Sequence, residues 1–418
     1  MDKLKHIISY LPLLSILLIM SLLPFHYSAL QRFAMYSLAV TYVLDYCVNA
    51  RWRQWKWNNF KLIFIAFALF SALIPIWQLF DPVRTPLYQT TKEVFSPFFF
   101  VGIAGFLGMT DKIRMEYVAW TMLSVCTAIS VYLIYQATLG MTQGFEWIAT
   151  YNWYRLVKIN THMVVNLYCN MALILGALVV FDTSHGRFAK GVTITMMMIT
   201  MPIIFISGGR TGMITLLMVM MVLSLYYIFR TRRWSLLTIA AVIGIGMSLF
   251  MVHNPRMREA VETTNPRIGL WQECWSMIAE RPVIGYGICS AREKFVRRVM
   301  NNESLRNTYV AEIEQDESYR MNGTTRYDLI HPHNAFLETW SRFGIIGLIL
   351  CLCCLTGPFF LRIGRYRVYL VLCTLAFLIQ AMFESLGSDL QPLFLASMVL
   401  LFFYDHFSCI APSAPTGA

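Results

Sequence analysis

The chain has few charged residues for its length. Asp, Glu, Lys and Arg make up 14% of its 418 residues, whereas hydrophobic residue types make up 57%. A soluble globular protein carries roughly a quarter charged residues, so this composition excludes an ordinary soluble domain. The apolar residues are gathered into runs of about twenty, which is long enough to cross a bilayer as helices. The sequence therefore predicts a bundle of membrane-spanning helices.

Several motifs of soluble enzymes are also absent. The chain has no Walker loop, no dinucleotide-binding glycine fingerprint and no His-Glu-x-x-His zinc motif. We therefore expect neither a cofactor nor a metal. Few charges fall at mid-membrane depth, which argues against an ion-coupled transporter.

Twelve apolar segments are predicted to span the membrane. They are 7–23, 29–48, 62–79, 93–109, 117–139, 161–181, 191–207, 213–229, 236–252, 335–361, 368–386 and 390–404. Lys and Arg are concentrated in one alternate set of connections, which the positive-inside rule assigns to the cytoplasm. Both termini are then cytoplasmic, and the long connection after the ninth helix lies on the opposite side.

This pattern divides the chain into four parts. Residues 1–252 hold helices one to nine, 253–331 form the large loop, 332–404 hold helices ten to twelve, and 405–418 form a cytoplasmic tail. Acidic and basic residues balance within the loop, so the net charge of +11 arises mainly at the cytoplasmic ends. Such a distribution indicates contact with anionic lipid headgroups and gives no support for nucleic-acid binding.

The large loop has helical segments of its own. Ile268 to Glu280 has apolar residues at helical spacing, including Trp271, and Pro282 ends it. A second helix is predicted over 291–300. The two loop cysteines, Cys274 and Cys289, could be bridged or free, and their spacing leaves both states open.

Two arginines are candidates for binding an anionic group. Arg210 lies in the turn Ser207-Gly208-Gly209-Arg210-Thr211-Gly212, whose glycines allow a ligand to approach the backbone. Arg267 lies at the start of the Trp-rich helix, where free amides also favour an anion. Together they would suit a pyrophosphate. Alternatively, Arg210 extends to the membrane interface without binding a ligand, and Arg267 is an ordinary loop arginine.

His333 is the candidate general base. The segment His331-Pro332-His333-Asn334 is predicted to open the tenth helix, with Pro332 in its first turn. The positive end of the helix dipole disfavours a charged imidazole there, and a neutral imidazole can accept a proton near pH 7. His331 competes for this role, and either histidine could be purely structural. Glu338, Glu384 and Asp389 are polar residues near the same surface for which we favour structural roles.

These residues resemble the signature of the bacterial O-antigen ligases and the related polymerase superfamily. The resemblance rests on His333-Asn334 followed after nine residues by Gly344-Ile345-Ile346-Gly347. It extends to Arg210 in its glycine turn. It also includes Arg267 with Trp271, Pro282, Gly285 and Gly287 behind it.

The resemblance implies an all-α, C-type glycosyltransferase-like fold with about twelve spanning helices and a periplasmic loop between helices nine and ten. It implies a multi-pass enzyme of a Gram-negative inner membrane that moves a glycan from undecaprenyl pyrophosphate to lipid A–core without a metal. His333 would be the base, and Arg210 and Arg267 would hold the pyrophosphate. His331, Asn334 and Trp271 are further candidates for substrate contact.

Other functions fit the same resemblance. An O-antigen polymerase or a protein O-oligosaccharyltransferase would use the same donor with a different acceptor. A non-enzymatic exporter of lipid-linked glycans belongs to a different class. It would need polar residues through the membrane centre, of which this sequence has few.

Overall fold

The fold is known from a computed structural model. It describes residues 2–25, 28–79, 81, 97–140, 162–182, 184–206, 209–232, 241, 244–246, 249, 266–311, 314, 320, 321, 324, 325, 330–361, 363–383 and 391–410. Its long helices are α1 Asp2–Leu22, α2 Ser28–Val48, α3 Asn59–Leu79, α4 Pro97–Leu107, α5 Met115–Gly140, α6 His162–Asp182, α7 Arg187–Ile206, α8 Arg210–Thr231, α9 Pro266–Glu280, α10 Ile288–Asn301, α11 Ala335–Thr356, α12 Arg367–Phe383 and α13 Gln391–Ile410.

The prediction of a polytopic helical membrane protein is confirmed. Within the described residues, eight helices are long and apolar enough to cross a membrane. Eleven of the twelve predicted spans coincide with described helices. The remaining one, 236–252, lies mostly outside the described residues.

Helix α6 lies at the centre of the bundle. In its apolar stretch, Met163–Phe181, 89% of the residues are buried, against 22% in the stretch Arg187–Phe205 of α7. Helix α7 therefore lies at the periphery, where its apolar side chains face lipid. The contacts of α6 with α5, α7, α8 and α12 bring these helices around it.

The loop between the bundle halves has a hydrophobic core of its own. Helices α9 and α10 pack together through Leu270, Cys274, Phe295 and Val299. The first turns of α11 join this core through Trp340, among others. Both predicted loop helices are confirmed, with α9 beginning two residues and α10 three residues before the predicted starts.

Three smaller elements complete the described part of the loop. A short helical turn, Glu303–Leu305, leads into a π-helix, Arg306–Val310. Two-residue strands, β1 Arg320–Met321 and β2 Thr324–Thr325, pair antiparallel and are a small exception to the all-helical expectation. Both loop cysteines are free thiols. Burial raises the pKa of Cys274 to about 12, so this thiol is unreactive.

The loop is joined to the bundle where a turn enters a break in α11. Gly344 interrupts α11 with φ 65° and ψ −168°. The turn Pro282–Gly287 supplies substitute partners: the amides of Tyr286 and Gly287 donate to the carbonyls of Ser341 and Arg342, at 3.0 and 2.9 Å. In return, the Ile345 amide donates to the Pro282 carbonyl at 2.9 Å. Backbone hydrogen bonds that the helix loses are thus replaced across the junction.

The end of α3 fixes the other side of the same turn. The indole of Trp77 donates to the Ile284 carbonyl at 2.9 Å. The buried carboxylate of Asp81 accepts from the Cys289 amide at 3.2 Å and from the Ser290 hydroxyl. Gly287 is the N-cap residue of α10, and it has no side chain that could accept from the first amides of that helix. Asp81 therefore acts as a cap from a distant part of the chain.

Replacing Gly344 by alanine should destabilise the protein more than the same change at Gly364. Both residues have positive φ, at 65° and 59°, so each change costs about 1–2 kcal/mol of backbone strain. Only at Gly344 would the new Cβ overlap the Val283 carbonyl, since open space surrounds Gly364. We expect an additional loss of about 3 kcal/mol, seen as a lower apparent Tm in detergent. Equal shifts in the two variants would contradict this account of the junction.

Candidate active site

The first turn of α11 positions the two histidines. Asn334 is the N-cap, and its side-chain oxygen accepts from the amides of Phe336 and Leu337, each at 3.0 Å. The helix itself begins at Ala335. The prediction that Pro332 and His333 lie in the first helical turn was therefore wrong, because Asn334 caps the start of the helix and both residues precede this cap. His333 still lies close to the positive end of α11.

The backbone at His333 is strained. Its φ of 50° places a non-glycine residue in the left-handed region, at a cost of about 1 kcal/mol or more. In this conformation its amide donates to Nδ1 of His331 at 3.3 Å. The two imidazole centroids lie 4.0 Å apart. Sequence spacing alone could not distinguish the two histidines, and the structure shows that they form one unit.

Tyr309 was missed from the sequence and contacts His333 directly. Its hydroxyl lies 3.0 Å from Nε2 of His333, and the two rings meet edge to face. Tyr309 belongs to the π-helix, a rare element that often marks functional sites. The charged segment around it has no sequence feature that distinguishes this tyrosine from the others.

Helix α9 brings two of the predicted residues to the same place. The indole of Trp271 donates to the Pro332 carbonyl at 3.0 Å, so it holds the segment between the histidines. Arg267 lies in the first turn of α9, close enough for its charge to lower the pKa of His333. The structure thus brings Arg267, Trp271, His331, His333 and Asn334 together.

Both histidines are neutral at physiological pH. Burial, and then the Arg267 charge, lower the pKa of His333 to about 3. Burial, and then the charge of His333, lower the pKa of His331 to about 3. Loss of solvent disfavours the charged imidazole, and a nearby cation adds to the effect. A neutral imidazole can accept a proton, although a buried ring with a pKa of about 3 is a weaker base than an exposed histidine.

Glu338 stabilises the helix beneath the histidines. Its carboxylate forms an ion pair with Arg342, one turn further along α11. Glu338 is buried, and its negative charge partly counteracts the lowering of the His331 pKa. This partnership favours the structural role expected for Glu338. Glu384 and Asp389 lie outside the described residues.

Arg210 lies on a different helix. It is the first residue of α8 rather than part of the preceding turn, and it is half-buried. The N-cap, Gly209, makes no side-chain capping bond to the first amides of α8. Gly212 packs against Asn166 of α6, and its carbonyl accepts from the Asn170 amide at 3.1 Å. That Arg210 faces the same site as His333 stays a prediction.

The grouped side chains can accept a proton and bind an anion. His333 supplies the neutral ring, Arg267 a permanent positive charge, and the start of α11 a positive helix end. Within the part of the chain that the structure describes, no three His, Cys, Asp or Glu side chains are grouped to hold a metal ion. This arrangement suits transfer chemistry in which a hydroxyl loses a proton and an anionic group departs.

Part of the chain matches a known protein family. Residues 195–352 match the family model described as O-antigen ligase. The matched segment covers less than half of the chain but contains Arg210, Arg267 and His333, together with Gly344 and the turn that enters the helix break. No curated protein matches the chain. The chain is a multi-pass helical membrane protein, and its residues 195–352 are similar to the O-antigen ligase family.

Proposed function

We propose that the protein is an O-antigen ligase. It transfers a glycan from undecaprenyl pyrophosphate to a sugar hydroxyl of lipid A–core, without a metal, on the periplasmic side of the inner membrane. The observation that carries the proposal is the pairing of neutral His333 with Arg267 beside the start of a spanning helix. The family match adds support, because the superfamily acts on lipid-linked polysaccharides.

His333 is the general base in this scheme. Its imidazole takes the proton of the acceptor hydroxyl while the acceptor oxygen forms a bond to the anomeric carbon of the donor sugar. The bond from that carbon to the pyrophosphate oxygen breaks, and the pyrophosphate leaves with the electron pair. A neutral ring is needed for this step, because a protonated imidazole has no lone pair to offer.

The arginines stabilise the leaving group. Negative charge accumulates on the pyrophosphate oxygen as the bond breaks, and preorganised cations at that position lower the barrier. Arg267 lies near His333 and is the better supported of the two. Arg210, at the uncapped start of α8, would bind the second phosphate together with the helix amides. Trp271 and Asn334 hold the histidine segment in place.

Donor binding should strengthen the base. Burial, and then the positive charge of Arg267, cause the low pKa of His333. A bound pyrophosphate would neutralise that charge and place negative oxygens nearby, both of which favour the imidazolium. The base is therefore weak without donor and stronger with donor bound.

An O-antigen polymerase or a protein O-oligosaccharyltransferase is the alternative, since only the acceptor differs. Purified protein supplied with lipid-linked donor and core acceptor distinguishes them. A ligase produces capped core, whereas a polymerase produces only longer donor chains. A non-enzymatic exporter would produce neither.

Replacing His333 by alanine should abolish ligation. Loss of a general base lowers rates by roughly 10²–10⁴-fold, and Arg267→Ala should lower them by about 10²–10³-fold through loss of transition-state stabilisation. Arg267→Lys is the matched control: it keeps the charge but loses the forked geometry, so we expect an intermediate loss. Lipopolysaccharide from a complemented ligase-deficient strain is examined on gels. Full capped ladders with His333→Ala and Arg267→Ala would falsify the catalytic assignment.

The pH profiles of kcat and kcat/KM should differ. The profile of kcat/KM reports the free enzyme, where the pKa of His333 is about 3. We therefore expect no acid limb in kcat/KM near pH 6.5 and only a small decline down to about pH 5. The profile of kcat reports the donor complex, and its acid limb should lie at higher pH because the bound anion raises the pKa. A kcat/KM that drops tenfold per unit below pH 6.5 would contradict the low pKa.

Tyr309→Phe should lower kcat with little change in KM. The substitution removes the hydroxyl that hydrogen-bonds to the His333 ring and keeps the packing of the aromatic ring at position 309. Loss of one such bond, worth about 0.5–1.5 kcal/mol, predicts a decrease in kcat of roughly 2- to 13-fold. Tyr286→Phe, in the same loop but bonded to Glu280 instead, is the control and should retain the wild-type kcat. An unchanged kcat in Tyr309→Phe would show that the ring needs no support from this hydroxyl.

A further inference from the structure

One face of α9 is exposed and uncharged. Ile268, Gln272, Trp275 and Ala279 follow helical spacing and form one stripe. Ile268 and Trp275 remain 56% and 54% exposed, which is unusual for side chains of this size unless the surface has a partner.

The charged residues of α9 lie on its other sides. Glu273 and Glu280 form ion pairs with Arg298 of α10. The charge of Arg267 lies close enough to His333 to lower its pKa. The exposed stripe therefore consists of two large apolar side chains, one amide and one methyl group. Contact of its two large apolar side chains with bulk water is unfavourable.

The stripe is continuous with the lipid-facing surface of α11. The ring of Trp275 meets that of Trp340 edge to face at 5.4 Å, and the Trp340 indole donates to the Pro282 carbonyl at 2.9 Å. The next two residues of that turn, Val283 and Ile284, are 55% and 43% exposed. The backbone of these two residues contacts Gly344 of α11. Two residues further along α11, the side chain of Ile346 is also exposed.

The two tryptophans mark the level of the membrane boundary. Trp340 lies near the start of α11, which is long and apolar enough to cross the membrane, and its neighbour Trp275 belongs to the loop. Tryptophan is enriched at this depth because its ring is apolar while its N–H needs a polar partner. Since Trp275 and Trp340 are in contact, α9 lies at the same depth as the start of α11.

We propose that α9 is an interfacial helix, with the stripe Ile268, Gln272, Trp275 and Ala279 inserted into the adjacent leaflet of the bilayer. The bilayer is the partner that the surface favours, because the stripe continues a surface that already faces lipid. Trp271 of the same helix holds Pro332, so insertion places His333 at headgroup depth. Lipid-linked substrates carry their reacting groups at this depth.

A nitroxide scan of the full-length protein in proteoliposomes tests this placement. The probe is introduced as Gln272→Cys or Ala279→Cys, and as Arg297→Cys on α10, where the native side chain is 79% exposed, for the aqueous control. Three cysteines outside the packed core, Cys47, Cys289 and Cys353, are first replaced by alanine, and Cys409 is replaced as well. Oxygen, which concentrates in lipid, and a neutral nickel chelate, which stays in water, are compared as relaxing agents.

Labels at 272 and 279 should be relaxed several-fold more by oxygen than by the nickel chelate, with the reverse order at 297. Relaxation of all three labels mainly by nickel would overturn the proposal, because α9 would then stand in water. Protection of 272 and 279 from both agents would also overturn it and would indicate a protein partner or a second copy. None of these outcomes depends on ligase activity, so the proposal stands or fails separately from the proposed function.

Discussion

The exchange of backbone hydrogen bonds between the Pro282–Gly287 turn and α11 holds the site together. A spanning helix cannot be broken near the bilayer unless its freed amides and carbonyls find other partners. The turn supplies them, at 2.9–3.0 Å. The break at Gly344 also allows the first part of α11, which carries the histidine segment, to pack into the core of the loop.

Close backbone approach explains the glycines of this junction. A Cβ on Gly285 would lie 2.6 Å from the Arg342 carbonyl oxygen, and one on Gly287 would lie 2.5 Å from the Asp81 carboxylate. Both glycines also have positive φ, which larger residues adopt only with strain. The resemblance to the O-antigen ligases includes these glycines, and the structure gives the reason: Gly285 lies against the backbone of α11, and Gly287 lies against the Asp81 side chain.

The sequence predicted the helices well and the site in part. Long apolar runs are decided by local composition, so eleven of the twelve predicted spans were recovered. His333 and Arg267 were predicted because their residue types suit proton transfer and anion binding, and their roles stay predictions. The predicted span 335–361 begins at the same residue as α11, but the histidine segment was wrongly placed in its first turn, since the Asn334 side-chain cap outweighs the preference of Pro332 for that position. Tyr309 could not be found, because its role depends on a contact across 24 residues.

The low basicity of the His333 imidazole has a consequence for the proposed reaction. Burial is the larger cause of the low pKa of His333 and the Arg267 charge the smaller one, so a pyrophosphate that neutralises Arg267 would strengthen the base when the donor arrives. By thermodynamic linkage the coupling is reciprocal, so the donor complex binds a proton on His333 more readily, and the protonated site binds the donor more tightly. The imidazolium formed during transfer is then stabilised by the same anion that leaves. In the proposed reaction, proton transfer and departure of the pyrophosphate would thus be coupled through the charge of Arg267, which lies close enough to His333 to lower its pKa.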